Sequence, residues 1–388
     1  MTDYRLDPPT AVYIHIPFCS NKCHYCDFTS YVVQGQPVDE YLDALEREME
    51  RTVSLLVPPR VETIFVGGGT PTVLTPPQME RFLRMTRDYF PDRAEDLEFT
   101  MEANPGTTDP DKLAVMKAGG VNRVSFGVQS FDNGLLSGIG RIHQTDDVYR
   151  SLEYAKQAGF RNLTIDLMFG LPGQTLHMLE DTLDKALALS LQHYSIYGLK
   201  VEENTLFHSL YMKNQLLLPE EETEAEMFRI IMRRLEQEGF RQYEISNFAK
   251  PGFESRHNSM YWRNRAYYGL GAGAHGYTNR ERHMNLKGIR PYIEACKTGL
   301  PRLSTDPVTR EEAMEDFMMV GLRLLEGVRS RDFIQQFGTS IEEAFGPVLE
   351  KLIGDKLLDK TAEGYKLPQQ AVMYGNVVFG AFIGHLTV

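Results

Sequence analysis

The chain has 388 residues, 42% hydrophobic and 24% charged, enough to bury a large core and to build more than one domain. Lys and Arg number 41 against 53 Asp and Glu, a net charge of −12, which argues against a nucleic-acid partner because phosphate contacts need clustered cations. The N-terminal "MTDYRLDPPT" lacks a signal-peptide layout, no apolar run approaches the roughly 18 residues of a membrane span, and only 4 cysteines occur, so a cytoplasmic protein without a disulfide scaffold is expected.

From residue 11 to about 200, short β-branched or aromatic runs alternate with stretches of helical period, the pattern of repeated βα units. "AVYIHI" from 11 is the first strand and leads into a loop carrying Cys19, Cys23 and Cys26. A helix over 39–56 follows, because Leu42, Leu45, Met49, Val53 and Leu56 recur at steps of three and four. Five more strands are predicted: "VETIFVG" from 61, "LEFTME" from 97, "NRVSFGV" from 122, "NLTIDLMFG" from 162 and "YSIYGLK" from 194. Six units are two short of an eight-fold barrel, so the expected α/β fold is an incomplete, open (β/α)6 TIM-like barrel with its chemistry at the strand C-terminal ends.

Past 200 the rhythm changes. "PEEETEAEMFRIIMRRLEQEGF" predicts a helix from about 219, and "RQYEISNFA" a strand that extends the sheet. Helices over 309–325 and 340–354, then a two-stranded wing in "LLDKTAEGYKLPQQ", predict a small helical, winged-helix-like domain. Its basic residues are not concentrated, so packing or a partner role is expected rather than DNA binding. The apolar end "NVVFGAFIGHLTV" predicts a last strand or helix, with contact to a membrane-bound acceptor as the functional alternative. The expected division is 1–215 for the partial barrel, 216–304 for the sheet extension and 305–388 for the helical domain.

Three cysteines at CxxxCxxC fit two chemistries. A structural zinc needs a fourth ligand, which His15, His24 or Asp27 could supply. A [4Fe–4S] cube takes one thiolate per corner and leaves its fourth iron open. Spacing alone does not separate them. The strand ends carry further motifs: "GGGTPT" at 67–72, "EANPGT" at 102–107, "GVQSF" at 127–131 and "DLMFGLPGQT" from 166. Gly67, Gly68 and Gly69 let backbone approach a ligand closely, and Thr70 adds a hydroxyl. Glu102 suits an ammonium or a ribose hydroxyl. Gln129, Arg141 and Asp166 face the barrel mouth, where Arg can grip a carboxylate through two hydrogen bonds. Each alone has a structural explanation; on successive strand ends beside a cysteine loop they point to a site.

"CSNKCHYC" resembles the signature of radical S-adenosylmethionine (radical SAM) enzymes, whose unique iron is chelated by the SAM amino and carboxylate groups and whose cluster cleaves SAM to a 5′-deoxyadenosyl radical. Together, "YIHIPFC", "GGGTPT", "EANPGT", "GVQSF", "GRIH" and "DLMFGLPGQT" are similar over nearly the whole chain to the oxygen-independent coproporphyrinogen III oxidase group. The oxidase has a fourth cysteine near the trio and an N-terminal extension; here position 28 is Phe and about ten residues precede the first strand. The chain more closely resembles the HemW subgroup of haem chaperones, whose HNxxYW hallmark reads "HNSMYW" from His257 to Trp262.

The resemblance implies Cys19, Cys23 and Cys26 on the [4Fe–4S] cluster. It implies Tyr13, Gly68, Gly69, Thr70, Glu102 and Arg141 around SAM, Tyr25 near adenine, and Gln129 and Asp166 near a second SAM. It further implies haem as cargo, with His257 as an iron ligand and Tyr261 and Trp262 as flat faces for the porphyrin; a buried core histidine is the alternative. His275 is a weaker second candidate, and Cys296 reads as inert core on a helix. Haem delivery to acceptor proteins such as membrane-bound respiratory cytochromes, a homodimer, and peripheral membrane association are the implied partner chemistry. Oxidative decarboxylation of coproporphyrinogen propionates is the alternative function.

Overall fold

The computed structural model describes residues 4–387. Six strands follow one another in parallel: β1 (Ala11–Ile16), β2 (Val61–Gly68), β3 (Arg93–Ala103), β4 (Arg123–Gln129), β5 (Asn162–Phe169) and β6 (His193–Gly198). Each matches a predicted strand, although β3 begins four residues earlier than its apolar run suggests. Alternation decides the faces. Val12, Ile14 and Ile16 enter the main core, as do Val124, Phe126 and Val128, while the intervening residues point into the barrel lumen.

The sheet continues at both edges. After β7 (Arg241–Gln242) and β8 (Asn247–Ala249) come β9 (Tyr267–Leu270), β10 (His275–Thr278), β11 (Glu281–Asn285) and β12 (Arg302–Pro307). The strand order is β12-β11-β10-β9-β1-β2-β3-β4-β5-β6-β8-β7. β9 lies parallel to β1, whereas β8 runs antiparallel to β6. β1 and β6 therefore never pair, and the six-unit barrel stays open, as the missing two units require. "RQYEISNFA" is a hairpin rather than one strand. Its turn closes where Tyr243 N–H donates to the Asn247 carbonyl, and the Glu244 carboxylate accepts from Ser246 N and Asn247 Nδ2.

The helix Val38–Leu55 buries Leu42, Leu45 and Met49, and Asp39 and Glu40 in its first turn offset the positive end of the helix dipole. Each such side chain taken fully from water adds roughly 1.5–3 kcal/mol before entropy is counted. A second core gathers Met314, Met318, Phe333, Phe337, Phe345 and Phe382, from helices Arg310–Gly321, Ser330–Phe337 and Ile341–Gly354 and the C-terminal end. The wing is three-stranded, because Val328–Arg329 joins Asp359–Lys360 and Gly364–Lys366. β12 runs past residue 304 and so crosses the expected boundary at 305. The apolar C-terminal stretch forms the short helix Gly375–Gly380, with Val378 and Phe379 in the second core. No helix among the described residues is long and apolar enough to cross a membrane.

Candidate functional site

β1 delivers the chain to the cysteine loop, which opens with Phe18–Cys19 paired to Tyr31–Val32 and closes a turn where Cys26 N–H donates to the Cys23 carbonyl. Cys19, Cys23 and Cys26 are free and half-buried. Burial pushes the thiols of Cys19 and Cys26 up, and Lys22 opposes this. No group of three or more Cys, His, Asp or Glu converges on a single-ion position among the described residues. Thiolates that each take a separate iron of a cube need no such convergence, and three free thiols on one tight loop supply three corners. His15, one candidate fourth zinc ligand, has both ring nitrogens engaged: Nε2 donates to the Thr29 carbonyl at 2.7 Å and Nδ1 accepts from Tyr13 OH at 2.9 Å. Burial lowers its pKa to about 4.

Polar groups at the strand ends connect to the loop in sequence. Arg141 Nη1 donates to Asn104 Oδ1 at 2.7 Å, Asn104 Nδ2 donates to Thr70 Oγ1 at 2.8 Å, and Thr70 Oγ1 donates to the Cys19 sulfur at 3.6 Å. Asn104 is the link that residue reasoning passed over, although it stands inside the quoted "EANPGT". Arg141 also neighbours Tyr25, which packs against the satellite cluster of Leu135, Ile139, Met168, Leu171 and Phe207. A void of about 20 Å³ lies between Cys23, Asn104 and Arg141.

The glycines act differently from the expectation. A Cβ on Gly67 would sit 2.6 Å from the Glu102 carboxylate, one on Gly68 2.3 Å from the His15 ring, and one on Gly69 2.5 Å from the Phe18 carbonyl. The close approach they permit is first to the protein's own groups. Gly127 makes the cradle instead: a Cβ there would meet Asn104 Oδ1, Arg141 Nη2 and Gln129 Nε2, all within 3.1 Å. Gln129 reaches that point from a left-handed backbone, φ 68°, at a break in the β4–β5 register.

Glu102 accepts from Gly68 N–H at 3.2 Å, and burial, then the charge of Asp166, raises its pKa to about 8. Asp166 accepts from Ser125 Oγ at 3.0 Å; burial pushes its carboxyl up against the pull of Ser125, Ser195, Arg123 and Arg141. Two carboxyls that resist ionising beside a guanidinium form a mouth able to exchange protons and hold an amine or hydroxyl.

His257 is elsewhere. It belongs to the short helix Arg256–Trp262, whose first N–H groups are held by Glu98, with Arg256 N and His257 N donating to its carboxylate at 2.9 and 3.0 Å. The imidazole is fully buried, bonded to Thr63 Oγ1 at 2.9 Å and Tyr261 OH at 2.8 Å, and stacked on Phe65. Burial lowers its pKa to about 3. It has no free nitrogen for iron, which is the core-histidine alternative rather than an exposed ligand. Trp262 differs: Arg323 covers its ring at 4.5 Å, its Nε1 has no partner, and it lines a cleft of about 680 Å³. Thr10, Glu62 and Ala266 place that cleft at the strand N-terminal ends, with Phe317, Leu324 and Val328 on the opposite wall. His275 is exposed on β10. Cys296 is buried on the helix Ile289–Thr298, its thiol pushed up to about 12.

Residues 13–186 match the Radical SAM superfamily and residues 308–374 the HemN C-terminal domain. The protein named heme chaperone HemW from Bacillus subtilis is 47% identical over 97% of this chain and 100% of its own length. Its namesake from Escherichia coli is 35% identical over 97% and 98%. The solved coproporphyrinogen III oxidase HemN of Escherichia coli superposes with a TM-score of 0.85 over 98% of this chain and 91% of that one, at 24% identity, which shows the shared fold. With identity of this extent along the full length of both chains, the protein belongs to the HemW family of radical SAM proteins.

Proposed function

We propose that the protein binds haem and passes it to acceptor proteins such as respiratory cytochromes, with a [4Fe–4S] cluster and SAM at the barrel mouth. Cys19, Cys23 and Cys26 hold the cluster, and Glu102, Arg141 and Tyr25 surround SAM. When bound, the pair supplies one-electron chemistry at that face. The chain's own part there is to fix the Cys19 sulfur through Thr70, to anchor Thr70 through Asn104, and to keep Glu102 protonated until a cation arrives.

The observation that carries the haem assignment is the cleft beside Trp262. Its volume of about 680 Å³ falls among cavities that hold cofactor-sized ligands. Trp262 offers an apolar face, and Arg265 lines the same space with a guanidinium suited to a carboxylate such as a haem propionate, while Arg5 and Arg329 there pair with Asp7 and Glu363. Arg265 has no acidic partner among the described residues; its Nη1 contacts only the Met260 sulfur. The relatives that carry the name heme chaperone support the same cargo. Haem titration of Trp262→Ala and Arg265→Ala tests the assignment, with at least a tenfold loss of affinity expected. Wild-type affinity in both variants removes the cleft from the reading. Decarboxylation of coproporphyrinogen rests on the shared fold with HemN alone, and nothing at the site favours it.

A further inference from the structure

Arg123 opens β4 and is 2% exposed, yet its Nε has no hydrogen-bond partner and no ion pair joins it to a carboxylate among the described residues. Strand alternation sets its direction. Val124, Phe126 and Val128 pack into the helix-side core, and Ser125, two residues on, turns the other way to bond Asp166. Arg123 therefore points into the lumen. Its charge is felt at Asp166, His193, Tyr243 and His257, groups on different walls of the barrel, so the guanidinium stands between them.

Neither histidine is free to neutralise or accept from it. His193 is bonded to Thr164 Oγ1 at 2.7 Å and Tyr243 OH at 2.9 Å, in the same manner as His257 between Thr63 and Tyr261. A further buried polar atom is orphaned beside it. Thr100, directly across from Arg123 in the β3–β4 register, has an unpartnered Oγ1 and no exposure. Asp166 feels Arg123 without a direct ion pair between them, and a buried guanidinium whose Nε stays unbonded is costly. A fold that retains one beside an idle hydroxyl is prepared for an anion with hydrogen-bond-accepting oxygens.

We propose that Arg123 and Thr100 form a carboxylate-binding subsite on the floor of the barrel lumen, which receives the carboxylate arm of a ligand that enters from the cysteine face. The guanidinium fork takes both oxygens, and the Thr100 hydroxyl donates to one of them. Two of the proposed ligands carry such an arm: a second SAM, apart from the one whose aminoacyl end chelates the cluster iron, and a porphyrin with its propionates. The subsite is distinct from the Trp262 cleft, so the haem reading there and this one fail separately.

The test uses cluster-reconstituted protein with Arg123→Met, which keeps the stem and removes the charge, and Arg123→Lys, which keeps the charge without the fork. Each is titrated with SAM, with haem, and with haem dimethyl ester. If SAM is the source, Arg123→Met loses one equivalent of bound SAM while the SAM-induced change in the cluster EPR signal persists. If a propionate is the source, haem binds Arg123→Met at least tenfold more weakly, and the dimethyl ester binds wild type and variant alike. Arg123→Lys gives an intermediate loss in either case. Thermal unfolding of ligand-free Arg123→Met is expected to rise by a few degrees, since a buried charge without a direct ion pair is removed. Unchanged stoichiometry and affinity for every probe in a folded variant overturns the subsite, and so does a lowered Tm without any binding change, which marks Arg123 as a packing residue only.

Discussion

Thr70 donates its hydroxyl hydrogen to the Cys19 sulfur at 3.6 Å, and Asn104 supplies the hydrogen bond that fixes the hydroxyl's direction. Hydrogen bonds to a cluster sulfur stabilise the reduced state and raise its potential. One bond worth about 1 kcal/mol converts to about 40 mV for a one-electron couple. Thr70→Val is expected to lower the cluster midpoint by that order, read by an EPR-monitored redox titration. Asn104→Ala should give a smaller shift of the same sign. A midpoint identical to wild type in both variants would show that the contact does not reach the metal.

The raised pKa of Glu102 predicts a pH effect with a definite sign. Folded, the carboxyl stays protonated up to about 8; unfolded, it ionises near 4.3. Between these values the native state binds the extra proton, so this group's contribution is fullest below about pH 4 and declines as pH rises to about 8. Ligand-free Glu102→Gln should match wild-type Tm near pH 4 and exceed it increasingly toward pH 8. Parallel Tm curves across that range would mean the carboxyl is not protonated in the fold.

His257→Ala is expected to lose stability first. It removes a fully buried ring stacked on Phe65 and strands Thr63 Oγ1 and Tyr261 OH. A cavity plus orphaned polar atoms costs about 3 kcal/mol or more, visible as a lower urea midpoint. His257→Gln, able to keep one of the two bonds, should fold and bind haem with an unchanged Soret maximum. A shifted Soret band in that folded variant would restore His257 as an iron ligand.

Gly68→Ala should be among the most damaging changes at the mouth. Position 68 has φ +102°, and a methyl there would lie 2.3 Å from the imidazole of His15. That ring cannot retreat without breaking its bonds to Tyr13 and Thr29. Loss of soluble expression, or a Tm drop well beyond that of Gly35→Ala, where the added Cβ meets nothing within 4 Å, is the expected result. Equal Tm values for the two variants would show that the His15 ring moves freely.

Much of the molecule is legible from local pattern. Alternating apolar residues such as Val12, Ile14 and Ile16 specify strands, the three- and four-residue recurrence of Leu42, Leu45 and Met49 specifies a helix, and CxxxCxxC after the first strand locates the cysteine loop; all depend on neighbours in the chain. The hairpin at 241–249 was hidden because its turn is closed by the Glu244 carboxylate, a side-chain choice that β-propensity does not register.

The roles of individual histidines and arginines were decided only by tertiary contacts. "HNSMYW" looks the same whether its imidazole faces a ligand or Thr63, and it is the strand β2, 194 residues away, that occupies His257. Likewise, nothing around Arg123 in the sequence marks its Nε as unbonded, since hydrogen-bond satisfaction is a property of the assembled lumen. Sequence determined which elements form and where the thiols gather; the closing of those elements around one another determined which polar atoms were left free to bind.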